Sequence, residues 1–401
     1  MQRWMQPSLL ALLALPPLVF AAYVVAARTA EVRESYEAPV REAGDFRYLR
    51  NAARIISSAD PAVLYEGPAN RGTWEEEKGY QFPGSYPYAP AFAYGMTPLT
   101  LVSDVTAFGL WKLSVALLSV CLAVALAAQF RSWAWRLASF AAVVAWEPIL
   151  LNARIGQTGV FVATTMAIAA LAFVHDRTRG GAALGLLALK PSTILGPGLI
   201  VFPERTRVWL AFAAAGVVVG LLPFLWLGPD ALESWIRVLL RLGRRDLTGG
   251  HSYNQGLTAL VEFGGVVGYT AFAALLALAM ATVNLAHDRA GVAMAAAFAV
   301  LAGLLLNPHS LLYEWGLAFL VVLLIRRGLR LPAPAADVVA GLLVVSLFFL
   351  GQWEVRDPLI RPLTAWALAV AAAVALYVVL QPRPRATAEE PEARRTVQSG
   401  P

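Results

Sequence analysis

Residues 363–380 have the sequence LTAWALAVAAAVALYVVL, which contains no charged side chain and few polar ones. A helix of about 20 such residues is long enough to cross the hydrocarbon core of a membrane. Comparable apolar runs recur from one end of the chain to the other. They cover residues 8–27, 109–129, 137–151, 158–174, 180–189, 191–202, 207–227, 259–285, 290–306, 310–325 and 335–352. We therefore predict an all-α polytopic membrane protein with about twelve transmembrane helices.

The composition supports this class. Of the 401 residues, 58% are hydrophobic and 14% are charged, whereas a soluble domain has about 25% charged residues. The net charge of +6 comes from arginines between the apolar runs. This pattern is typical of cytoplasmic loops and does not indicate a nucleic-acid partner. The single cysteine, Cys121, excludes an intramolecular disulfide.

Two of the runs, 180–189 and 191–202, are too short to cross a membrane comfortably. They meet at Lys190-Pro191, where proline can begin one helix and disfavours continuation of the preceding one. We predict two short helices that meet at Lys190.

The basic turns between the runs set the orientation. Arg131, Arg177 and Arg326-Arg327 fall on one side when both termini are cytoplasmic. We expect one transmembrane domain over residues 1–380, with 8–27 as a retained first span and 28–95 as a large first outer loop that carries a juxtamembrane helix. Residues 381–401 are predicted to be a disordered cytoplasmic tail. The high content of alanine, and of arginine over lysine, is typical of a GC-rich bacterial genome, so we expect the membrane to be a bacterial plasma membrane.

The first loop contains a candidate catalytic acid. Residues 44–56 have the sequence GDFRYLRNAARII. On a helix that begins here, Asp45 shares a face with apolar and aromatic side chains. Arg47, Arg50 and Arg54 form a separate stripe, so Asp45 has no arginine partner at i+3 or i+4. Asp45 either caps the helix, which is the commoner role for such a residue, or takes part in chemistry.

Further polar residues are expected at the outer membrane boundary. An ionisable side chain costs about 2.5–3.5 kcal/mol inside a membrane, so it usually has a partner or a function. The residues are Tyr86, Tyr88, Glu147, Asn152, Arg154, Gln157, Lys190, His251, Tyr253, Asn254, Asn307, His309, Tyr313 and Glu314. They have no recognised metal-ligand spacing. We expect no metal or cofactor, although the sequence leaves a divalent ion open.

For several of these residues, a purely structural role is an alternative to a functional one. Lys190 could extend its side chain to the membrane interface, and Glu147 could simply pair with Arg154. Arg237, Arg241 and Arg244 form one stripe of an amphipathic helix whose other face carries Trp235, Leu239 and Leu242. That stripe could bind anionic lipid headgroups or a substrate phosphate, and the sequence favours the two interpretations about equally.

Several short motifs, in one order along residues 40–320, carry a family resemblance. They are Asp45-Phe46 with Tyr48 and Ala52; Ala62-Val63-Leu64-Tyr65; Tyr86-Pro87-Tyr88-Ala89-Pro90; Asn152 with Gly156-Gln157; Leu189-Lys190-Pro191-Ser192; Ser252-Tyr253-Asn254-Gln255; and Leu306-Asn307-Pro308-His309-Ser310. As an ordered set they resemble glycosyltransferase family 87, the polyprenol-phosphate-mannose-dependent mannosyltransferases of GT-C type. Two departures are the alanine between Tyr88 and Pro90 and the insert Glu75-Glu76-Glu77.

The resemblance implies an inverting transfer of a sugar, mannose above all, from a polyprenyl-phosphate donor to a lipid or glycolipid acceptor on the outer face. Such a transfer needs one base for the acceptor hydroxyl and cations for the leaving phosphate. Asp45 is the implied catalytic base. The implied donor-phosphate ligands are Lys190, His309, Arg154 and Arg244. The implied substrate-binding residues are Tyr48, Tyr86, Tyr88, Gln157, His251, Tyr253, Asn254 and Asn307.

A transporter or flippase of a lipid-linked sugar is the alternative. Such a protein usually has internal repeats with matching broken helices in both halves. The sequence indicates one broken pair, at Lys190-Pro191, without a counterpart. A non-catalytic assembly factor is hard to reconcile with Asp45, Lys190 and His309 on one side of the membrane. The sugar, acceptor and linkage remain open.

Overall fold

The computed structural model describes residues 2–58, 61–65, 86–247, 256–257, 265–307, 309–352 and 362–382. These ranges are helical and contain no β-strand, which confirms the all-α prediction. The helices are α1 Gln2–Glu37, α2 Gly44–Ile56, α3 Pro90–Met96, α4 Asp104–Ala127, α5 Trp133–Val144, α6 Glu147–Ile155, α7 Gly159–His175, α8 Arg177–Gly185, α9 Leu195–Val201, α10 Thr206–Gly220, α11 Phe224–Leu227, α12 Pro229–Leu247, α13 Gly265–Ala290, α14 Val292–Leu306, α15 Leu317–Gly328, α16 Ala333–Gly351 and α17 Pro362–Leu380. Short 3₁₀ turns occupy Val40–Glu42, Pro61–Tyr65, Thr97–Leu101, Leu186–Leu189, Pro191–Thr193 and Leu312–Glu314.

Seven helical segments of the described chain are long and apolar enough to cross a membrane, which supports a multi-pass membrane protein. They are Ala14–Glu37, Asp104–Ala127, Trp133–Ile155, Thr206–Leu227, Gly265–Ala290, Ala333–Gly351 and Pro362–Leu380. Two shorter apolar helices are Gly159–His175 and Val292–Leu306. The predicted number of twelve crossings is not established, because several of the apolar runs form short or interrupted helices.

The interruptions occur beside prolines. The expected break at Lys190-Pro191 is present between two 3₁₀ turns. A break that the sequence did not suggest separates α5 from α6 at Ala145-Trp146, and Pro148 lies in the first turn of α6. Another separates α10 from α11 at Leu221–Pro223. Proline disfavours a helical residue before it and lacks an N–H, which explains why the helices are interrupted at these positions.

The most deeply buried helices are α14 and α15, which pack against each other. Apolar side chains surround both, as expected for helices in the centre of a bundle. Their 15 and 12 residues give lengths of about 22 and 18 Å, short of the roughly 30 Å hydrocarbon thickness. The segment that joins them is consequently recessed, and residues 310–316 are all buried.

Helix α1 continues past the predicted first span to Glu37, into the segment 28–95 that was predicted as the first outer loop. Lys112 of α4 holds the end of α1 by donating to the carbonyl oxygens of Tyr36 and Ala38, the latter at 3.0 Å. Within this loop, α2 follows the short turn Val40–Glu42. The insert Glu75-Glu76-Glu77 and the tail beyond Pro382 lie outside the described residues.

The arginine stripe of α2 anchors that helix to the start of α4. Arg50 is 3% exposed, donates to the carbonyl oxygens of Leu99, at 3.0 Å, and Val102, and forms an ion pair with Asp104. Arg54 pairs with the same carboxylate at 3.0 Å. The stripe therefore fixes the orientation of α2, and the Asp45 face points the other way, into the protein.

Candidate active site

Asp45 lies in the first turn of α2, where Ala43 is the N-cap residue and no side chain caps the helix. The capping interpretation of Asp45 is therefore wrong. The Asp45 carboxylate forms a hydrogen bond with Gln157, and Lys190 and His309 lie within electrostatic range. Burial raises the pKa of the Asp45 carboxyl above its ordinary value, and the Gln157 hydrogen bond and the Lys190 charge offset part of this rise. A carboxylate with a raised pKa is a better proton acceptor.

A left-handed glycine brings Gln157 to Asp45. Gly156 ends α6 with a φ of +81°, a conformation that favours glycine. A Cβ at this position would lie 2.2 Å from the Cβ of Phe46, so only glycine allows α2 to approach this closely. Gln157 follows at once and is 6% exposed. The left-handed turn at Gly156 thus explains why Gln157 lies next to α2.

Asn152 joins three segments around the site and is fully buried. Its Nδ2 donates to the carbonyl oxygen of Pro148 at 2.7 Å and to that of Tyr313 at 3.0 Å. Its Oδ1 accepts the N–H of Val160 at 3.2 Å. The amide therefore connects α6, the start of α7 and the 3₁₀ turn Leu312–Glu314. Such a buried and satisfied amide holds its neighbours in one arrangement.

Lys190 is the buried cation of the site, with 6% of the residue exposed. Its Nζ lies 2.5 Å from Oε1 of Glu314 and donates to Oγ1 of Thr158 at 3.2 Å. The rings of Tyr88 and Tyr313 lie 5.7 and 5.5 Å from the same nitrogen, within cation–π range. An ammonium group with these buried partners does not extend to the membrane interface, so that interpretation is wrong.

The recessed segment between α14 and α15 supplies the remaining polar groups. Asn307 shapes it, since its Oδ1 accepts the N–H of His309 at 3.0 Å. The Nδ2 of Asn307 donates to the carbonyl oxygen of His309 at 3.3 Å and lies 3.5 Å from Oε2 of Glu314. Glu314, 1% exposed, is thus placed between Asn307 and Lys190.

A cavity of about 280 Å³ opens beside these groups. Its polar lining residues include Lys190, Asn307 and His309, and most of its other lining residues are apolar. The apolar lining includes Pro87, Pro191, Ile194, Leu195, Leu239 and Leu242. A phosphate beside the polar lining residues, with an apolar chain along the apolar ones, would match this lining.

The amphipathic helix α12 covers one side of the cavity. Leu239 and Leu242 line it, and Trp235 donates its Nε1–H to the carbonyl oxygen of Pro87 at 3.2 Å. Arg237 and Arg241 are exposed on the other face, and Arg237 forms an ion pair with Glu233. The predicted division of α12 into an apolar and a basic face is confirmed for Trp235, Leu239 and Leu242 on one side and for Arg237 and Arg241 on the other.

The predicted substrate-binding tyrosines form a buried aromatic cluster. Tyr86 is fully buried and lies 5.9 Å from Tyr48 and 5.4 Å from Tyr88, between ring centroids. Tyr65 adds a hydrogen bond from its hydroxyl group to the Tyr88 carbonyl oxygen at 3.0 Å. Of the four, Tyr88 lines the cavity, and the N–H of Ala89 donates to the carbonyl oxygen of Leu189 at 3.0 Å. The cluster thus holds Tyr88 beside Lys190.

The structure does not bring Arg154 to this cavity. Arg154 pairs with Glu147 at 3.4 Å and donates to Ser35 at 3.1 Å, so the simple pairing interpretation of Glu147 is confirmed. Both residues line a separate cavity of about 760 Å³ that is rich in glutamate. The side chain of Arg244, and His251, Tyr253 and Asn254 as whole residues, lie outside the described part of the chain.

Two residues of the site had no predicted role, Thr158 and Glu314. Both contact the ammonium group of Lys190. Glu314 carried a recognisable signal, because it is a lone acid within a strongly apolar part of the chain. Thr158 carried none, since a threonine before an apolar helix is ordinary.

No three His, Cys, Asp or Glu side chains cluster as metal ligands among the described residues. The expectation of a reaction without a metal or cofactor stays a prediction.

Comparison with known families and proteins gives one match. The family model of glycosyltransferase family 87 matches residues 86–313, more than half of the chain. No curated protein and no solved structure matches the chain. The matched residues include Gln157, Lys190 and His309, while Asp45 precedes them.

Proposed function

The chain belongs to glycosyltransferase family 87, and on that premise we propose that it transfers mannose from a polyprenyl-phosphate donor to a hydroxyl group of a lipid or glycolipid acceptor. The family indicates a membrane glycosyltransferase, and the helical segments fit a multi-pass membrane protein. Membership of this family also favours an enzyme over a transporter. We propose the identity of the sugar, the identity of the donor and the roles of the catalytic residues.

One observation carries the proposal: the Asp45 carboxylate lies within electrostatic range of Lys190 and His309, and these two residues line a largely apolar cavity. Asp45, Gln157, Lys190 and His309 come from four separate segments of the chain, and the fold brings them within electrostatic range. The cavity beside them is lined by Lys190 and His309 together with mainly apolar side chains. A lipid phosphate has the complementary division of charge and apolar surface.

The chemistry follows from these groups. The Asp45 carboxylate accepts the proton of the acceptor hydroxyl group as its oxygen attacks C1 of the sugar. The bond between C1 and the phosphate oxygen breaks, and its electron pair stays on the phosphate. Lys190 and His309 stabilise the negative charge that develops there. A single displacement inverts C1, so a β-linked donor would yield an α-linked product.

Gln157 and Tyr88 have supporting positions in this scheme. Gln157 orients the Asp45 carboxylate through its hydrogen bond, and Tyr88 places its ring beside Lys190 and the cavity. Asn307 keeps His309 in place. We assign no donor contact to Arg154, because it lies in the separate cavity with Glu147.

We further propose that the reaction takes place at the outer face of a bacterial plasma membrane, with both termini in the cytoplasm. The basic turns of the sequence support this orientation.

The decisive test replaces Asp45 by asparagine, which keeps the side-chain shape and removes the basic carboxylate. We expect sugar transfer to fall by at least about 100-fold while binding of the donor persists. Membranes that contain the variant would be assayed with a panel of polyprenyl-phosphate sugars, of which the mannose donor should be the best. Asp230→Asn is the matched control, because Asp230 lies in the first turn of α12 and is exposed. Normal transfer by Asp45→Asn would exclude Asp45 as the base.

A further inference from the structure

Lys190 already has a negatively charged partner within the site. The Glu314 carboxylate lies 2.5 Å from its ammonium group, and the side chains are 8% and 1% exposed. Asn307 contacts the other carboxylate oxygen of Glu314 at 3.5 Å. A phosphate that binds Lys190 therefore does so in the presence of a fixed, buried negative charge. The other titratable groups near Lys190 include Tyr88, Tyr313 and Asp45, and His309 lies in range of Asp45.

The two lipid phosphates of the proposed reaction differ in charge. The donor is a phosphodiester with one negative charge. When the bond from C1 to the phosphate oxygen breaks, the electron pair stays on oxygen and the acceptor proton goes to Asp45, so the leaving group is a monoester with two negative charges. A phosphate monoester has a second pKa of about 6, so the product keeps most of this charge at neutral pH.

From these two facts we propose that Glu314 is a positioning residue that favours release of the lipid monophosphate product over the phosphodiester donor. The inference rests on the proposed function. Coulombic repulsion scales with the product of the charges, so Glu314 opposes the monoester about twice as strongly as the diester at equal distance. Without Glu314, the unpaired Lys190 would hold the product most tightly, at the end of each reaction cycle.

Glu314 can act in this way because its side chain is held beside Lys190. It lies in the recessed turn Leu312–Glu314, and the carbonyl oxygen of the preceding Tyr313 accepts a hydrogen bond from Asn152. The turn is surrounded by buried residues on both sides. An exposed glutamate would rotate into solvent when a phosphate arrived, and its charge would be screened.

The test measures binding of two synthetic ligands to the full chain in detergent at pH 8. The ligands are a polyprenyl phosphate monoester and the methyl phosphodiester of the same prenol. For Glu314→Gln we expect tighter binding of both, with a logarithmic change for the monoester about twice that for the diester. A tenfold gain for the diester would thus accompany a roughly hundredfold gain for the monoester. Turnover should show a lower kcat and stronger inhibition by the monoester.

Two further variants complete the experiment. Glu314→Asp withdraws the carboxylate by one methylene group and should give a smaller change with the same preference for the monoester. It is decisive if Glu314→Gln does not fold. Glu204→Gln is the matched control, since the Glu204 side chain is only 10% exposed and pairs with Arg177 at 3.3 Å and His287 at 3.4 Å. It should change binding of neither ligand.

The outcomes separate the inference from the proposed function. If the wild-type chain binds neither ligand, or if Lys190→Ala leaves their binding unchanged, the assignment of the donor site fails and the inference fails with it. If both bind through Lys190 but the Glu314 variants change both affinities by the same factor, or in the opposite direction, only the inference is overturned.

Discussion

The ion pair of Lys190 and Glu314 should be a strong local determinant of stability as well as part of the site. At 2.5 Å and an effective dielectric constant of about 20, the Coulombic attraction is about 7 kcal/mol. Much of this offsets the cost of removing both charges from water. Loss of one partner leaves the other charge buried alone, which typically costs about 3–5 kcal/mol. We therefore expect Lys190→Met and Glu314→Gln each to lower the free energy of unfolding by about 3 kcal/mol or more.

The double variant distinguishes stability from activity. Lys190→Met together with Glu314→Gln removes both charges, so it should cost no more stability than either single variant, with a coupling energy of about 3 kcal/mol in the double-mutant cycle. Sugar transfer should stay low, because no ammonium group remains for the phosphate. Equilibrium unfolding in mixed micelles gives the first quantity, and the membrane transfer assay the second. A coupling energy below about 0.5 kcal/mol would refute the reasoning, since distant and independent sites give values that small.

Three further predictions follow from the site. Because burial raises the pKa of Asp45 and the base must be ionised, kcat/KM should fall as the pH drops through that pKa, above the ordinary carboxyl value of about 3.9; a pH–rate profile that is flat down to pH 4 would contradict this. Gly156→Ala should destabilise the protein by at least about 1–2 kcal/mol and reduce turnover, since its Cβ would displace Phe46 and the Asp45 helix; thermal unfolding and the transfer assay measure both, and wild-type values in each would be incompatible with the described approach. Arg154→Ala should leave the KM for the donor unchanged within about twofold, because Arg154 pairs with Glu147 in another cavity; a large rise in KM would return Arg154 to the donor site.

The sequence predicts the parts of this fold that depend on local pattern. Long uncharged runs such as 363–380 form the expected helices, and a helix begins at Gly44-Asp45 as its spacing suggests. The junction at Lys190-Pro191 is also predictable, because proline acts on its immediate neighbours. The two faces of α12 follow from its helical period in the same way.

Features that depend on tertiary partners were not predictable. Nothing local distinguishes the role of Arg50, which is set by carbonyl oxygens about fifty residues away. Arg154 and Lys190 are both cations on the expected outer side, yet one pairs with Glu147 and the other with Glu314. Which acid each cation meets depends on how the short helices pack, and the hydropathy pattern does not determine that packing. The same reason explains why the count of crossings could not be derived from apolar runs alone.

The pairing of Lys190 with Glu314 also has a consequence for biosynthesis. The two residues are 124 positions apart, and chain growth at about 5–20 residues per second takes roughly 6–25 s to cover that distance. During this interval Lys190 has been added to the chain while its counter-charge has not yet been made. A membrane-inserted chain must therefore keep Lys190 near water, or protected by the insertion machinery, until Glu314 arrives. The ion pair can therefore form before the last two candidate membrane spans, α16 and α17, have been made.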